Sequence, residues 1–320
     1  MLSTYLEDTT LANIVQCTDV GGGDIWFYLT RLCSAKKDVQ YKCDLSYRPI
    51  IAVSVMGGLG NQMFQIAAAY AHAKRTGNRL QLLREKKWLD GRSTYWDSTL
   101  SRFSSYLVDS LPDLDTVREP LPTVYYALPA ETKNGMYLEG YRQSPKYFSE
   151  VRDELRTLYA GSEKVLATIH AKYEELLANR KNVVVVHARR TDYLKNDWNK
   201  SIHGPLEVAY YTSAIAKMTE HVRNPVFLLC SDDPLFWLEV IPHVDALQTC
   251  PYHILVNEND VHTLALLSLF ENFIIANSTF SWWAAWLAFT KHVYAPARWF
   301  GPGGPPLYED IYDPSWIRID

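Results

Sequence analysis

A chain of 320 residues, 48% hydrophobic and 13% aromatic, carries enough apolar surface for one large core or two medium ones, and its length favours two domains. Its formal charge of -4 excludes a general attraction to nucleic acid or anionic lipid, so a bound anion has to meet a local cluster of arginines. Five widely spaced cysteines, Cys17, Cys33, Cys43, Cys230 and Cys250, form no metal-ligand pattern; the expectation is reduced thiols in the cytoplasm, with neither a disulfide framework nor a metal.

The N-terminus lacks the basic start of a signal peptide, and no segment reaches the roughly 18 uninterrupted apolar residues of a membrane span, so a soluble, unexported chain is expected. Residues 1–48 combine mixed polarity with a triple glycine at 21–23 and an apolar run from Ile25. They read as an extension packed on the first domain, with no chemistry of their own. Residues 50–55 form a buried-strand pattern, followed by the loop Gly57-Gly58-Leu59-Gly60-Asn61-Gln62, an alanine-rich helical stretch over 63–75 and a second strand at 79–83. This is a β-α-β unit whose glycine loop lies at a strand's carboxyl end. Such a loop lets the backbone approach a diphosphate at a helix N-terminus, or serves only a tight turn. A dinucleotide fingerprint would place a further glycine where Met63 stands, which counts against a nicotinamide enzyme.

Residues 90–145, rich in proline and aromatic side chains, are expected to form surface loops and short elements of the first domain, and 149–158 and 162–178 to be helices. The second half alternates strands at 183–186, 226–230, 252–256 and 273–276 with helices at 206–222, 234–241, 261–270 and 282–290. That alternation demands a parallel sheet covered on both faces. The expected architecture is α/β, two Rossmann-like domains facing a cleft: the extension 1–48, a first, acceptor-side domain 49–178 and a second, nucleotide-sugar domain 179–320.

The chemistry concentrates where strands end. Four valines at 183–186 run into His187, Ala188, Arg189, Arg190, Thr191, Asp192 and Tyr193, so charge arrives where burial stops, at the position where open α/β sheets hold ligands. An arginine's planar fork matches phosphate oxygens. Asp192 either takes a proton or orients the arginine beside it, and a purely structural ion pair is the plain alternative. Asp232 and Asp233 follow the next strand and could position arginines, bind a metal or cap the helix beginning near Pro234. The run Asn277, Ser278, Thr279, Phe280, Ser281 offers hydroxyls and free amides at a helix start, an anion pocket that needs no cation. Trp282, Trp283 and Trp286 read as core packing of that helix.

Taken in order, Gly-Gly-Leu-Gly-Asn-Gln, His-Ala-Arg-Arg-Thr-Asp-Tyr, Cys-Ser-Asp-Asp and Ala-Asn-Ser-Thr-Phe-Ser-Trp-Trp-Ala-Ala-Trp resemble the motifs of the α1,2-fucosyltransferases of glycosyltransferase family 11, over about residues 50 to 300. The resemblance implies a GT-B-like fold, GDP-β-L-fucose as donor, inversion at the anomeric carbon and no metal or other cofactor. It casts Arg189 as the grip on the donor diphosphate, with Arg190 and His187 supporting the nucleotide. Backbone groups of Gly58, Gly60 and Asn61 would face the phosphates, and Ser278 to Ser281 would close the pocket. Where the family often carries an acid, five residues before the helix serine, this chain has Thr263; Asp260, one turn earlier, is the substitute for reading the guanine.

Inversion needs a base on the face opposite GDP, and Asp192 is the candidate; its alternative role is to orient Arg190. The expected reaction is fucose transfer to the 2-hydroxyl of a galactose in an oligosaccharide or glycoconjugate. Transfer of another deoxysugar such as rhamnose, another linkage, and a non-catalytic glycan-binding protein are the competing readings. The acceptor is expected around residues 90–145, His203 and Tyr210.

Overall fold

The computed structural model describes residues 17–19, 25–28, 40–43, 48–84, 93–130 and 132–320. The chain divides into two compact units, Met1–Pro49 and Ile50–Asp320. In the first, strands β1 (Cys17–Asp19), β2 (Ile25–Tyr28) and β3 (Gln40–Cys43) form an antiparallel sheet. The expected packing of residues 1–48 on the first domain lies outside the described residues.

The second unit contains two wholly parallel sheets. One runs in the order β6 (Leu107–Val108), β5 (Arg79–Leu83), β4 (Ile50–Val53), β8 (Met136–Glu139), β7 (Asp115–Arg118). The stretch at 90–145, expected as loops and short elements of the first domain, supplies three of its five strands. These strands are two to four residues long, and β7 (Asp-Thr-Val-Arg) carries no apolar run; only pairing with distant partners makes them strands. Helix α1 (Leu59–Thr76) connects β4 to β5 and ends at Gly77, whose left-handed φ of 68° lets its amide close on the carbonyls of Ala73 and Lys74. Its alanines are buried all round, which fits a helix packed on more than one side.

The other sheet runs β11 (Tyr252–Ile254), β10 (Val226–Ser231), β9 (Val183–Ala188), β12 (Asn272–Ile274), β13 (His292–Pro296), β14 (Ile317–Ile319). Strand β9 is buried along its whole length because it is central and covered on both faces. Val184, Val186 and Ala188 pack with α6 (Val208–His221) and α7 (Phe236–Val240), while Val183 and Val185 join the opposite core with α9 (Asp260–Leu267) and α10 (Thr279–Leu287). That second core is continuous through α1 into the first sheet. Phe64 of α1 lies 4.5 Å from the Trp282 ring and 5.0 Å from Trp283, and Phe148 stacks on Trp283 at 5.3 Å. The three α10 indoles are core packing, as their helical spacing suggests.

The single helix expected at 162–178 is two, α3 (Glu163–Lys172) and α4 (Glu174–Ala178), broken at Tyr173. Although the sequence boundary at 178 groups them with the first sheet, α2 (Arg152–Leu158) and α3 pack on helices of the second. Arg152 donates to the Trp286 carbonyl (2.8 Å) and Arg156 to those of Leu287 and Ala288 (3.0 and 2.8 Å), closing the C-terminus of α10. The fold is α/β and GT-B-like, two Rossmann-like parallel sheets sharing one core.

Candidate active site

Each sheet has one place where strand order reverses. In the first, β5 and β6 lie to one side of β4 and β8 to the other; in the second, β10 and β11 lie to one side of β9 and β12 to the other. Crevices for ligands open at the carboxyl ends of such strand pairs. The four strands lead into residues 54–58, 140–144, 189–193 and 275–278, and one side chain of α1 ties the segment after β8 to the start of α10 after β12. Asn61 Oδ1 accepts from Gln143 Nε2 at 3.0 Å and from Thr279 Oγ1 at 2.9 Å, joining residues 82 and 218 positions away in sequence.

Arg189 leaves the end of β9 and forms a two-pronged pair with Asp192, Nε to Oδ1 at 2.8 Å and Nη2 to Oδ2 at 2.9 Å, while Asp232 Oδ2 lies 3.4 Å from Nε. Burial works against its charge, but hydrogen bonding to Asp192 and the charge of Asp232 outweigh it and raise its pKa. Nη1 has no partner among the described residues, so one face of a fixed cation stays available. Asp192 orients Arg189, not Arg190.

The other expected members take unequal places. Arg190 lies with its guanidinium 4.1 Å from the Phe236 ring and bonds the Leu206 carbonyl at 3.3 Å, turned into the α7 side of the sheet. Asp232 accepts from the backbone amides of Arg190 (2.8 Å) and Thr191 (3.1 Å) and from the Thr191 hydroxyl. Of its three candidate tasks it performs the positioning one, holding the arginine loop; helix α7 starts beyond it without a side-chain cap. His187 is buried, its ring centroid 5.7 Å from that of Phe280 and its Nδ1 without a hydrogen-bond partner among the described residues. Burial, reinforced by the Arg189 charge, lowers its pKa to about 4, so it stands neutral at pH 7 and offers a polar edge but no charge.

The glycine loop is committed to packing. A Cβ on Gly60 would sit 2.6 Å from the Thr279 carbonyl carbon, and the Gly60 carbonyl accepts from Trp283 Nε1 at 3.0 Å, so this glycine lets α1 meet α10. Gln62 and Gln65, both buried, bond the carbonyls of Gly57 and Met56 at 2.9 Å each and fold the loop from within. Gly58 is the N-cap of α1 and contributes no side-chain cap.

Ser278 is the N-cap of α10, its hydroxyl accepting from the Phe280 amide at 3.4 Å, and half-buried Phe280 borders His187. Ser281 is turned inward onto the carbonyls of Ala276 and Ser278 (3.4 and 3.3 Å). Asp260, exposed on the first turn of α9, accepts from Tyr95 Oη at 2.7 Å, a bond from the first sheet's half to the second's. Tyr210, expected near an acceptor, is buried with its hydroxyl on the Ile275 carbonyl at 2.7 Å. His203 stacks on Tyr193 at 4.2 Å, and the Tyr193 hydroxyl bonds the Asn277 carbonyl at 2.8 Å.

Sequence reasoning missed Gln143, Tyr95 and the structural task of Asn277, whose Nδ2 bonds the carbonyls of His203 (2.6 Å), Gly204 (3.1 Å) and Trp299 (2.9 Å). Asn277 stood inside a recognised motif; Gln143 and Tyr95 carried no local signal.

The family model described as glycosyl transferase family 11 matches residues 122–320. The chain belongs to that family. It is 29% identical over 307 residues to the O-antigen biosynthesis glycosyltransferase WbnK of Escherichia coli, covering 82% of this chain and 98% of that protein. To the alpha-1,2-colitosyltransferase of Escherichia coli it is 27% identical over 292 residues, covering 85% and 99%. Among solved structures, an Arabidopsis thaliana FUT1 mutant in complex with GDP superimposes with a TM-score of 0.49 at 14% identity, over 78% of this chain and 71% of that one. The NodZ alpha-1,6-fucosyltransferase soaked with GDP-fucose gives 0.45 at 16%, over 75% and 93%.

Proposed function

We propose that this family 11 glycosyltransferase moves L-fucose, or a closely related deoxysugar, from its GDP-linked form to a hydroxyl of a glycan acceptor, with inversion. The linkage we favour is α1,2 to a galactose. The observation that carries this is Arg189: a guanidinium locked by Asp192 and Asp232 at the strand-order reversal of the second sheet, with Nη1 left over. In the reaction the acceptor oxygen bonds to the anomeric carbon, the bond from that carbon to the β-phosphate breaks, and the electron pair leaves with GDP. Arg189 and the first-turn amides of α10 would stabilise that developing charge without a metal ion.

Asp192 is our candidate to take the acceptor proton. Both of its oxygens accept from Arg189 at the end of β9. A carboxylate there would serve for a proton that moves late in the transfer. The donor-side contacts we assign are His187, Ser278, Thr279 and Phe280 around Arg189, with Asp260 toward the base. Arg190, Asp232, Gly58, Gly60, Asn61 and Ser281 we place as supports, from the contacts described above. The colitosyl relative gives weight to a second donor, GDP-colitose, over rhamnose. We place the activity in the cytoplasm; no helix among the described residues is long and apolar enough to cross a membrane.

The test is incubation with GDP-fucose or GDP-colitose and a panel of galactosides, with and without EDTA, with product linkage read by mass spectrometry and NMR. Expected is an α1,2-linked product undiminished by EDTA, and a loss of roughly 10²- to 10³-fold in kcat for Arg189→Ala, the scale for removing one fixed donor from a developing anion. Comparable rates in the variant would end the role given to this arginine. Glycan binding without transfer from any GDP-sugar would favour the binding-module reading.

A further inference from the structure

Helix α5 (Asp197–His203) buries none of its residues, which is unusual for a seven-residue helix that has no stability of its own. It is held by its ends and its backbone. Asn196 caps its N-terminus through the Asn199 amide (2.8 Å), and Asn199 Nδ2 bonds the Asp192 carbonyl at 2.7 Å. At the other end the Ile202 and Ser201 carbonyls accept from the amides of Gly301 and Gly303 at 2.9 and 3.0 Å. The approach is so close that a Cβ on Gly301 would lie 2.2 Å from the Ser201 carbonyl oxygen.

The fold therefore fixes a short helix rigidly beside the backbone of Asp192, and what that helix presents to solvent is an indole. Trp198 is 69% exposed and has neither a ring nor a cation partner among the described residues. By contrast exposed Phe289 is covered by the Arg156 guanidinium at 4.1 Å. An indole face carries partial negative charge and complements the partly positive C–H groups on the apolar face of a pyranose, while the sugar's hydroxyls remain free for polar contacts.

We propose that Trp198 is the platform on which the acceptor's terminal pyranose stacks, a galactose-type sugar whose hydroxyl is thereby turned toward Asp192. This rests on the transferase reading for the identity of the ligand but is tested by binding alone. The full chain, saturated with GDP, is titrated with lactose and with N-acetyllactosamine by calorimetry and saturation-transfer NMR, alongside Trp198→Ala and Trp198→Phe. Expected is at least a tenfold rise in the galactoside Kd for the alanine variant, a change within threefold for phenylalanine, and a GDP Kd within twofold of the parent in both. Galactoside binding unchanged in the alanine variant, GDP and galactoside affinity falling together, or a parent chain that binds neither sugar would each overturn it. Binding that depends on Trp198 in a chain that transfers no sugar would leave the platform standing and remove the transferase reading.

Discussion

The loops after β4 and β9 occupy equivalent places in two similar sheets, and both look like ligand loops in sequence, yet the molecule uses them differently. After β4, glycines, glutamines and an asparagine are absorbed into the junction of the two halves: Gly60 lies against Thr279, Gln62 and Gln65 bond the loop's own carbonyls, and Asn61 pins Gln143 and Thr279. After β9, two carboxylates hold one guanidinium that remains 28% exposed. A glycine is permissive toward any close neighbour, ligand or helix, whereas a fixed half-buried charge requires a counter-charge and points to an anionic ligand.

The comparison is broken most directly at Gly60. Alanine there forces a methyl group into the Thr279 backbone, and a loss of about 3 kcal/mol or more in unfolding free energy is expected from denaturant titration. A variant as stable as the parent but unable to bind GDP would make the first loop a cradle and reverse the contrast.

The second loop is sharpened by pH. His187 has a folded pKa of about 4 against an ordinary value of 6.5, so between those values the unfolded chain binds a proton that the folded chain refuses. Stability contributed by keeping it neutral is complete above pH 6.5 and is lost as pH falls toward 4, by up to about 3 kcal/mol. His187→Gln should show a shallower fall over that window, by the difference between the two stability–pH curves. Parallel curves would show that His187 titrates normally. His72, also lowered by burial, is common to both proteins and cancels in the difference.

The smallest effect is expected at Asn61→Ala, which strands two donors that face one oxygen. About 1 kcal/mol of stability should be lost, with the GDP Kd moving no more than threefold. A GDP Kd raised tenfold or more with stability intact would show that Asn61 serves the donor directly.

Much of this was legible from local pattern. The β-α-β start, the alternation of the second half, the charged mouth of β9, the inward tryptophans of α10 and the family itself follow from spacing that neighbouring residues share. Strands β6, β7 and β8 were not legible, because segments of two to four residues acquire strand geometry only from their partners. Nor did adjacency distinguish Arg189 from Arg190: a strand end turns consecutive side chains to opposite sides, so one reaches the carboxylates and the other lies on Phe236.

What the sequence by itself determined is the longer elements and the chemical character of the strand ends in the second half, since periodicity and charge act over a few residues. Only the tertiary structure decided which of those ends serve packing and which are left for a ligand. That choice depends on contacts such as Asn61 with Gln143 and Thr279, between residues 82 and 218 positions apart, which local propensity does not encode.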